Sequence, residues 1–234
     1  SWAMPPGGAA NYDTLGTTPT LFADATFMKI SPSGKRVAIG VGYMQPLLIV
    51  DTDVLNAASP INLETDPRVI KINYDAYPGF SADFADGEWI DEQRLAINHG
   101  WFTGSQVYVL DVTNKSNKPI PVLDVVGASG GVALDRDGNL LTAVGWEPGP
   151  PNRTGEIVIV ARDDWERVMQ TQGTPLNISD TSKVKCVAKN VLSGSSLDVD
   201  NEGNLCVGGG DAFGSGGPAE NGYAAIIRGD VLHR

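Results

Sequence analysis

Short apolar runs recur along the chain and are separated by turn-forming residues. Four of these runs hold the same place in a repeating unit: Leu47–Val50, Val107–Leu110, Ile157–Val160 and Ala224–Ile227. Short runs rich in Val, Ile and Leu are typical of strands that are covered on both faces. The pattern therefore predicts a protein built mainly of short β-strands.

A tight turn precedes the second strand of each unit. The four turns are Ser31–Lys35, Ile90–Gln93, Asp135–Asn139 and Asp198–Asn204. All but the second contain a glycine that can take the positive φ of a short hairpin, and a Ser or Asp near the start can accept backbone N–H bonds. These features predict one hairpin in each unit.

A fourth strand is predicted after the third in three of the units. These segments are Val69–Asn73, Ile120–Val126 and Val184–Leu192. Four antiparallel strands, repeated along a chain, form the blades of a β-propeller, because a blade cannot bury both of its apolar faces alone. A β-sandwich is the rival fold, but the recurrence of the same features in the same order favours the propeller.

The predicted fold is therefore an all-β propeller of four-stranded antiparallel blades, with four blades visible. Residues 1–20 form an irregular lead-in rich in Pro, Gly and Thr, residues 21–234 form the propeller domain, and one short helix is predicted at Asp163–Gln170. Little room remains for an outer strand in the fourth unit. Either a strand near Thr18–Phe22 closes the ring, or the blades belong to a larger ring with an open sheet edge.

Three segments carry resemblances to known propeller families. Val107–Asn114 (VYVLDVTN) resembles the strand repeat of YVTN-type propellers, and Ser31–Ala38 (SPSGKRVA) is similar to the repeat of TolB-like propellers. Asp135–Leu140 (DRDGNL) resembles the turn of NHL and gluconolactonase-type propellers. The resemblances imply architecture and not activity, because these families share blades but not functions.

Charge and hydropathy narrow the range of partners. The chain has 28 acidic and 17 basic residues, a net charge of −11, which disfavours nucleic acid and anionic membranes. No apolar run is long enough to cross a bilayer. The candidate partners are then a protein, a carbohydrate or another small molecule. Cys186 and Cys206 fit either a disulfide of an exported protein or two free thiols, and we expect a secreted or periplasmic protein.

The candidate ligand site follows from an aromatic residue that recurs after a glycine, as in Gly42-Tyr43, Gly100-Trp101 and Gly145-Trp146. We place these dipeptides in the loop after the second strand, and in a propeller those loops share one face. Aromatic faces with a few polar groups suit a sugar, a peptide or a cationic ligand, although such aromatics also pack as lids over the core. The predicted ligand-binding residues are Tyr43, Trp101, Phe102, Trp146, Glu147, Arg153, Asp211 and Phe213.

Resemblance to lactonase-type propellers implies one divalent cation, such as calcium, held by acidic residues that precede the inner strands. Asp24 and Asp83 occupy such positions, but the other two units offer Gly130-Gly131 and Ser195-Ser196 instead. Half of the implied ligand set is therefore missing.

The sequence gives little indication of a calcium-binding loop or of a catalytic serine. The Asp135/Asp137 and Asp198/Asp200 pairs could bind calcium, but they fit hairpin turns held by Asp side chains better. No Gly-x-Ser-x-Gly motif occurs, and no catalytic residue is predicted.

The predicted function is a binding or assembly module that recognises a ligand or a protein partner through one loop face. The alternative is a metal-dependent hydrolase of the lactonase kind with an ion in the central channel. A third hypothesis is self-assembly through an open sheet edge.

Overall fold

The computed structural model describes residues 25–41, 47–55, 62–63, 65–72, 84–99, 105–114, 118–125, 128–146, 155–189, 191, 194–209 and 223–232. These residues form four small antiparallel sheets, which are arranged as a four-bladed β-propeller. The predicted all-β propeller is confirmed, and the β-sandwich alternative is excluded.

Each blade is a meander in which the first strand lies nearest the axis. Blade 1 contains β1 (Ala25–Ile30), β2 (Arg36–Val41), β3 (Leu47–Asp51) and β4 (Ile70–Ile72). Blade 2 contains β5 (Phe84–Trp89), β6 (Arg94–His99), β7 (Ser105–Asp111) and β8 (Ile120–Val125). Blade 3 contains β9 (Ala128–Leu134), β10 (Leu140–Trp146), β11 (Glu156–Val160) and, after the short β12 (Leu176–Asn177), β13 (Val184–Lys189). Blade 4 contains β14 (Gly194–Val199), β15 (Leu205–Gly209) and β16 (Tyr223–Ile227).

Short helices follow the third strand in three of the blades. They are α1 (Thr52–Leu55), α2 (Arg162–Thr171) and α3 (Gly229–Leu232). The predicted helix is confirmed as α2, as are the four predicted third strands and the three predicted outer strands. The sequence did not predict β12, which adds to blade 2 in parallel with β8, because two residues are too few to show a period.

The predicted hairpin turns are confirmed, with one change of boundary. Gly34, Gly138 and Gly203 have positive φ angles of 73°, 79° and 83°. The Oδ1 atoms of Asp135 and Asp200 each accept two backbone N–H groups of their own turn. These carboxylates are therefore turn acceptors, as the hairpin interpretation predicted.

The fourth turn begins at Asp200 and not at Asp198. Asp198 lies within β14, where it pairs with Cys206. Hydrogen bonds from the Asn204 side chain and from backbone N–H groups lower the pKa of Asp200.

An asparagine at the end of two of the turns anchors the following helix. Asn139 Oδ1 accepts the N–H of Arg162 at 3.0 Å, and Asn204 Oδ1 accepts the N–H of Gly229 at 3.1 Å. Both donors are the first residue of a helix, where an N–H group lacks an intrahelical partner. The turn thus fixes the path of the chain after the third strand.

The core consists of apolar layers between successive blades. We call the side of a blade that faces the preceding blade its rear face and the opposite side its forward face. The forward face of blade 1 packs on the rear face of blade 2, blade 2 packs in the same way on blade 3, and blade 3 on blade 4. A fourth cluster covers the outer strands on the rear face of blade 1 with residues that follow β3, namely Val54, Leu63 and Val69.

Blades 3 and 4 approach most closely where Gly131 of β9 meets Leu197 of β14. A Cβ atom at Gly131 would lie 2.5 Å from the backbone nitrogen of Leu197. Backbone cannot move aside as the end of a side chain can, so glycine is required at this position.

We expect Gly131→Ala to destabilise the protein by about 1–3 kcal/mol, the usual cost of overpacking. Gly208→Ala is the matched control on a neighbouring strand, because the nearest atom to its Cβ would lie 3.8 Å away. The measurement is chemical denaturation of both variants. Equal stabilities would show that β9 and β14 are not in close contact.

Candidate functional site

A buried carboxylate lies where the inner strands converge. Asp86 of β5 is 2% exposed. Its Oδ1 atom accepts the N–H of Gly87 at 2.9 Å, and its Oδ2 atom accepts the N–H groups of Val132 at 3.0 Å and Leu197 at 3.4 Å. Because Val132 lies on β9 and Leu197 on β14, one side chain joins the inner strands of three blades.

Burial dominates the protonation of this carboxyl group. Desolvation raises the pKa of Asp86 to about 6, against the opposing effects of the Lys29 charge and the three N–H donors. A carboxyl group with this pKa titrates close to neutral pH, and perturbed groups of this kind are concentrated at functional sites.

The fourth inner strand contributes a cation to the same region. Lys29 Nζ of β1 donates to Glu88 Oε2 at 3.0 Å and to the backbone oxygen of Leu197 at 3.3 Å. Burial lowers the pKa of Lys29, but the carboxylates of Glu88, Asp86 and Asp198 raise it overall. Burial raises the pKa of Glu88 in spite of this ion pair. Asp86, Glu88 and Lys29, which we call the axial cluster, thus connect all four blades.

A second polar group joins blades 2 and 3. Asn98 Nδ2 donates to the backbone oxygen of Gly130 at 2.7 Å and to Thr142 Oγ1 at 3.1 Å. The Thr142 hydroxyl in turn donates to the backbone oxygen of Gly131 at 3.0 Å. Buried polar groups need such partners, and this network aligns β6 and β10 with β9.

The junction between blades 1 and 4 differs from the other three. Among the described strands, none from blade 1 packs closely on a strand from blade 4, whereas successive blades pack along their inner strands. We call this junction the seam. The bond from Lys29 to Leu197 crosses it.

Among the residues that the structure describes, the forward face of blade 4 has no packed neighbour. The ladder pairs Ala38 with Ile49, Ala96 with Val109, Leu141 with Ile159 and Cys206 with Ile226, so these third-strand positions are equivalent. In blades 1 to 3 the third-strand residue is 1%, 3% and 9% exposed, but Ile226 is 69% exposed. Only in blade 4 does this apolar position lie open to solvent.

The rear face of blade 1 shows the same deficit at its inner strand. Met28 and Ile30 are 68% and 64% exposed. By the register of the inner hairpins, Met28 is equivalent to Val132 and Leu197, and Ile30 to Trp89, Leu134 and Val199. Val132, Leu197 and Trp89 are buried against the preceding blade, and Leu134 and Val199 are partly buried there. Among the described residues, the forward face of blade 4 therefore lacks a packed layer at the seam, and the rear face of blade 1 lacks one at its inner strand alone.

Nearly all of the residues predicted from the sequence to bind a ligand or metal lie outside the described residues. They are Tyr43, Trp101, Phe102, Glu147, Arg153, Asp211, Phe213, Asp24 and Asp83. The aromatic rim and the cation site therefore stay predictions. In the parts of the chain that the structure describes, no three His, Cys, Asp or Glu side chains group as metal ligands would.

Trp146 was predicted to lie in the loop after β10, and this placement is wrong. It is the last residue of β10, and its backbone pairs with Ala128. The loop prediction failed because the Gly145-Trp146 dipeptide was interpreted as the end of the strand, whereas the ladder continues through it.

Sequence reasoning missed Asp86. The available signal was an Asp-Gly pair inside a predicted strand, where both residue types are unfavourable. Such a pair indicates an unusual local role, but it does not reveal that two distant strands supply the N–H partners.

Both cysteines are free thiols. Cys186 lies exposed on β13, whereas Cys206 is partly exposed on the forward face of blade 4. Of the two sequence-based alternatives, the disulfide is wrong. Among the helices that the structure describes, none has the length and apolar character needed to cross a membrane.

The chain is similar to several solved structures at low sequence identity. No family model matches the chain, and no curated protein matches it. A protein assigned to the gluconolactonases matches with a TM-score of 0.47 at 13% identity, covering 87% of this chain and 59% of its own. The extracellular domain of a two-component system protein from B. thetaiotaomicron matches with a TM-score of 0.47 at 14% identity, covering 88% of this chain and 20% of its own. Hydrazine synthase from Kuenenia stuttgartiensis matches with a TM-score of 0.42 at 14% identity, covering 87% of this chain and 71% of its own.

These structural neighbours are propeller proteins, and at such identities the likeness concerns the fold alone. The chain spans about three fifths of the gluconolactonase and one fifth of the two-component system protein.

The raised pKa of Asp86 predicts a pH-dependent stability. Because the folded-state pKa is about 6 and the ordinary value is 3.8, the stabilisation by the proton is complete below pH 3.8 and is lost as the pH rises through 6. We expect the free energy of unfolding to fall by about 3 kcal/mol across this range from Asp86 alone.

The test is urea denaturation between pH 4 and 7, with Asp86→Asn beside the unaltered protein. Asp86→Asn should lose this part of the pH dependence, whereas the exposed control Asp137→Asn should keep it. An unchanged slope in Asp86→Asn would contradict the assignment.

Proposed function

We propose that this chain is an assembly module, in which the forward face of blade 4 and the exposed inner strand of blade 1 pack against those of a second copy. The observation that supports this proposal best is the exposure of Ile226, at 69%, where its three equivalents are buried. The same repeat position is buried against a neighbouring blade in the other three blades, which indicates that another sheet can cover this surface.

A second copy is the partner we propose, because the exposed surface of blade 4 is a forward face and the exposed inner strand of blade 1 belongs to a rear face. Blades meet forward face to rear face at all three packed junctions. The forward face of blade 4 presents Cys206, Ala224 and Ile226, and the rear face of blade 1 presents Met28 and Ile30. Two copies joined head to tail at both seams would cover these exposed surfaces in each copy.

Net charge opposes this association at long range. Each copy carries −11, so two copies repel each other through water. Salt screens charges that lie further apart than about 8 Å at physiological ionic strength. Association through apolar faces should therefore strengthen as salt is added, whereas association through ion pairs would weaken.

Neighbouring alanines on β16 provide a matched test. Ala224 and Ala225 are both exposed, but Ala224 shares the forward face with Ile226, and Ala225 lies on the other face, paired with Val207. We expect Ala224→Asp to weaken self-association by roughly tenfold or more, because the carboxylate would be buried without a partner. Ala225→Asp should leave it unchanged.

Sedimentation equilibrium over a range of protein and salt concentrations measures the effect. A mass that stays at that of one chain at every concentration would overturn the proposal, as would equal effects of the two substitutions. Thermal unfolding of both variants controls for damage to the blade itself.

A ligand at the loop face and an exported location are further parts of this proposal. The expectation of a ligand is supported by the aromatic residues that follow glycine in the sequence, and export stays a prediction. Soaking crystals with oligosaccharides and fractionating the producing cells would test these two points separately.

A further inference from the structure

Blade 4 is held toward blades 1 and 2 through the two backbone polar groups of one residue. The N–H of Leu197 donates to Asp86 Oδ2 at 3.4 Å, and its carbonyl accepts a hydrogen bond from Lys29 Nζ at 3.3 Å. The first bond reaches blade 2 and the second reaches blade 1. The backbone of Leu197 therefore connects blade 4 to both blade 1 and blade 2.

Apolar packing, unlike these two hydrogen bonds, joins each blade to its neighbour along the chain. The side chains of Leu197, Leu205 and Val207 pack on blade 3. The forward face of blade 1 packs on blade 2. The layers thus fix each blade to the next along the chain, and no described layer fixes blade 4 to blade 1.

Lys29 is well placed to control the width of the seam. Its side chain is 19% exposed, and Glu88, at 23%, fixes the ammonium group beside the axis. The backbone oxygen of Lys29 accepts a bond from Trp89 Nε1 at 2.9 Å, which fixes the strand itself. The long side chain of Lys29 reaches across to blade 4.

We propose that Lys29 is a latch, and that its bond to Leu197 holds the ring closed in a single chain and opens when blades of a second copy enter the seam. The inference rests on the self-association proposed above. It goes beyond it by naming a closed state of the single chain and the residue that maintains this state.

The physical reason is the difference in strength between the two kinds of contact. One hydrogen bond between a side chain and a carbonyl replaces a bond to water and contributes little net free energy. Burial of a whole sheet face contributes much more, because it removes many apolar atoms from water. A seam closed by one bond can therefore exchange with a seam filled by another blade.

The test measures a distance across the seam at concentrations where the protein is a single chain. In a Cys186→Ser, Cys206→Ser background, Lys35→Cys and Asn201→Cys place spin labels on the exposed turns of blades 1 and 4. Pulsed electron resonance then gives the distance distribution with Lys29 intact and with Lys29→Met. We expect Lys29→Met to move the distribution to longer distances and to broaden it.

Two controls make the result specific. Lys29→Arg keeps hydrogen-bond donors and a positive charge at this position and should preserve the narrow distribution. Labels at Gln93→Cys and Asp137→Cys, on the exposed turns of blades 2 and 3, should not respond to Lys29→Met, because that junction is packed.

An unchanged distribution in Lys29→Met would overturn the latch. If this variant does not fold, Glu88→Gln gives the same test, because it removes the charge that fixes the ammonium group, and an unchanged distribution would again overturn it. The mass measurement remains separate. A longer distance in a protein that never self-associates would support the latch and contradict the proposed assembly.

Discussion

A blade of this protein has two apolar faces, and it can bury the second only against another blade. This constraint accounts for the three apolar layers between successive blades and for the burial of the equivalent residues Ile49, Val109 and Ile159. It also gives meaning to the exposure of Ile226, Met28 and Ile30. Scattered exposed apolar residues need no explanation. Ile226 and Met28, however, occupy repeat positions whose apolar counterparts are buried, and the counterparts of Ile30 are buried or partly buried.

Packing the blades around one axis leaves a second requirement, which is to supply acceptors for backbone N–H groups. Inner strands leave backbone N–H groups without a strand partner where they converge. The Asp86 carboxylate accepts two of these, from Val132 and Leu197, and in doing so gives up its own hydration. This loss of hydration disfavours the charged form and raises the pKa of Asp86. The charge of Lys29 reduces it, and the same lysine is the link to blade 4.

Local sequence signals were reliable wherever neighbouring residues fix the structure. The turns at Gly34, Gly138 and Gly203 follow from the need for positive φ, and the third strands follow from runs of branched apolar residues. Signals weakened where the decisive partner lies far away in sequence. The loop prediction for Trp146 used the Gly145-Trp146 dipeptide alone and not its pairing with Ala128. The two residues of β12 are too few to predict a strand, which is formed by pairing with the distant β8.

The sequence by itself determined the hairpins, the third strands and the propeller class with four blade-like repeats, because these depend on short-range periodicity and turn chemistry. Only the tertiary structure decided that Asp86 collects N–H groups from other blades, that both cysteines are free, and that one junction of four lacks a packed layer. The repeat pattern is nearly the same in each unit, so it cannot distinguish a face that meets a neighbour from one that does not. That difference arises when the blades are arranged around an axis, where contacts between residues distant in sequence decide which apolar surface leaves water.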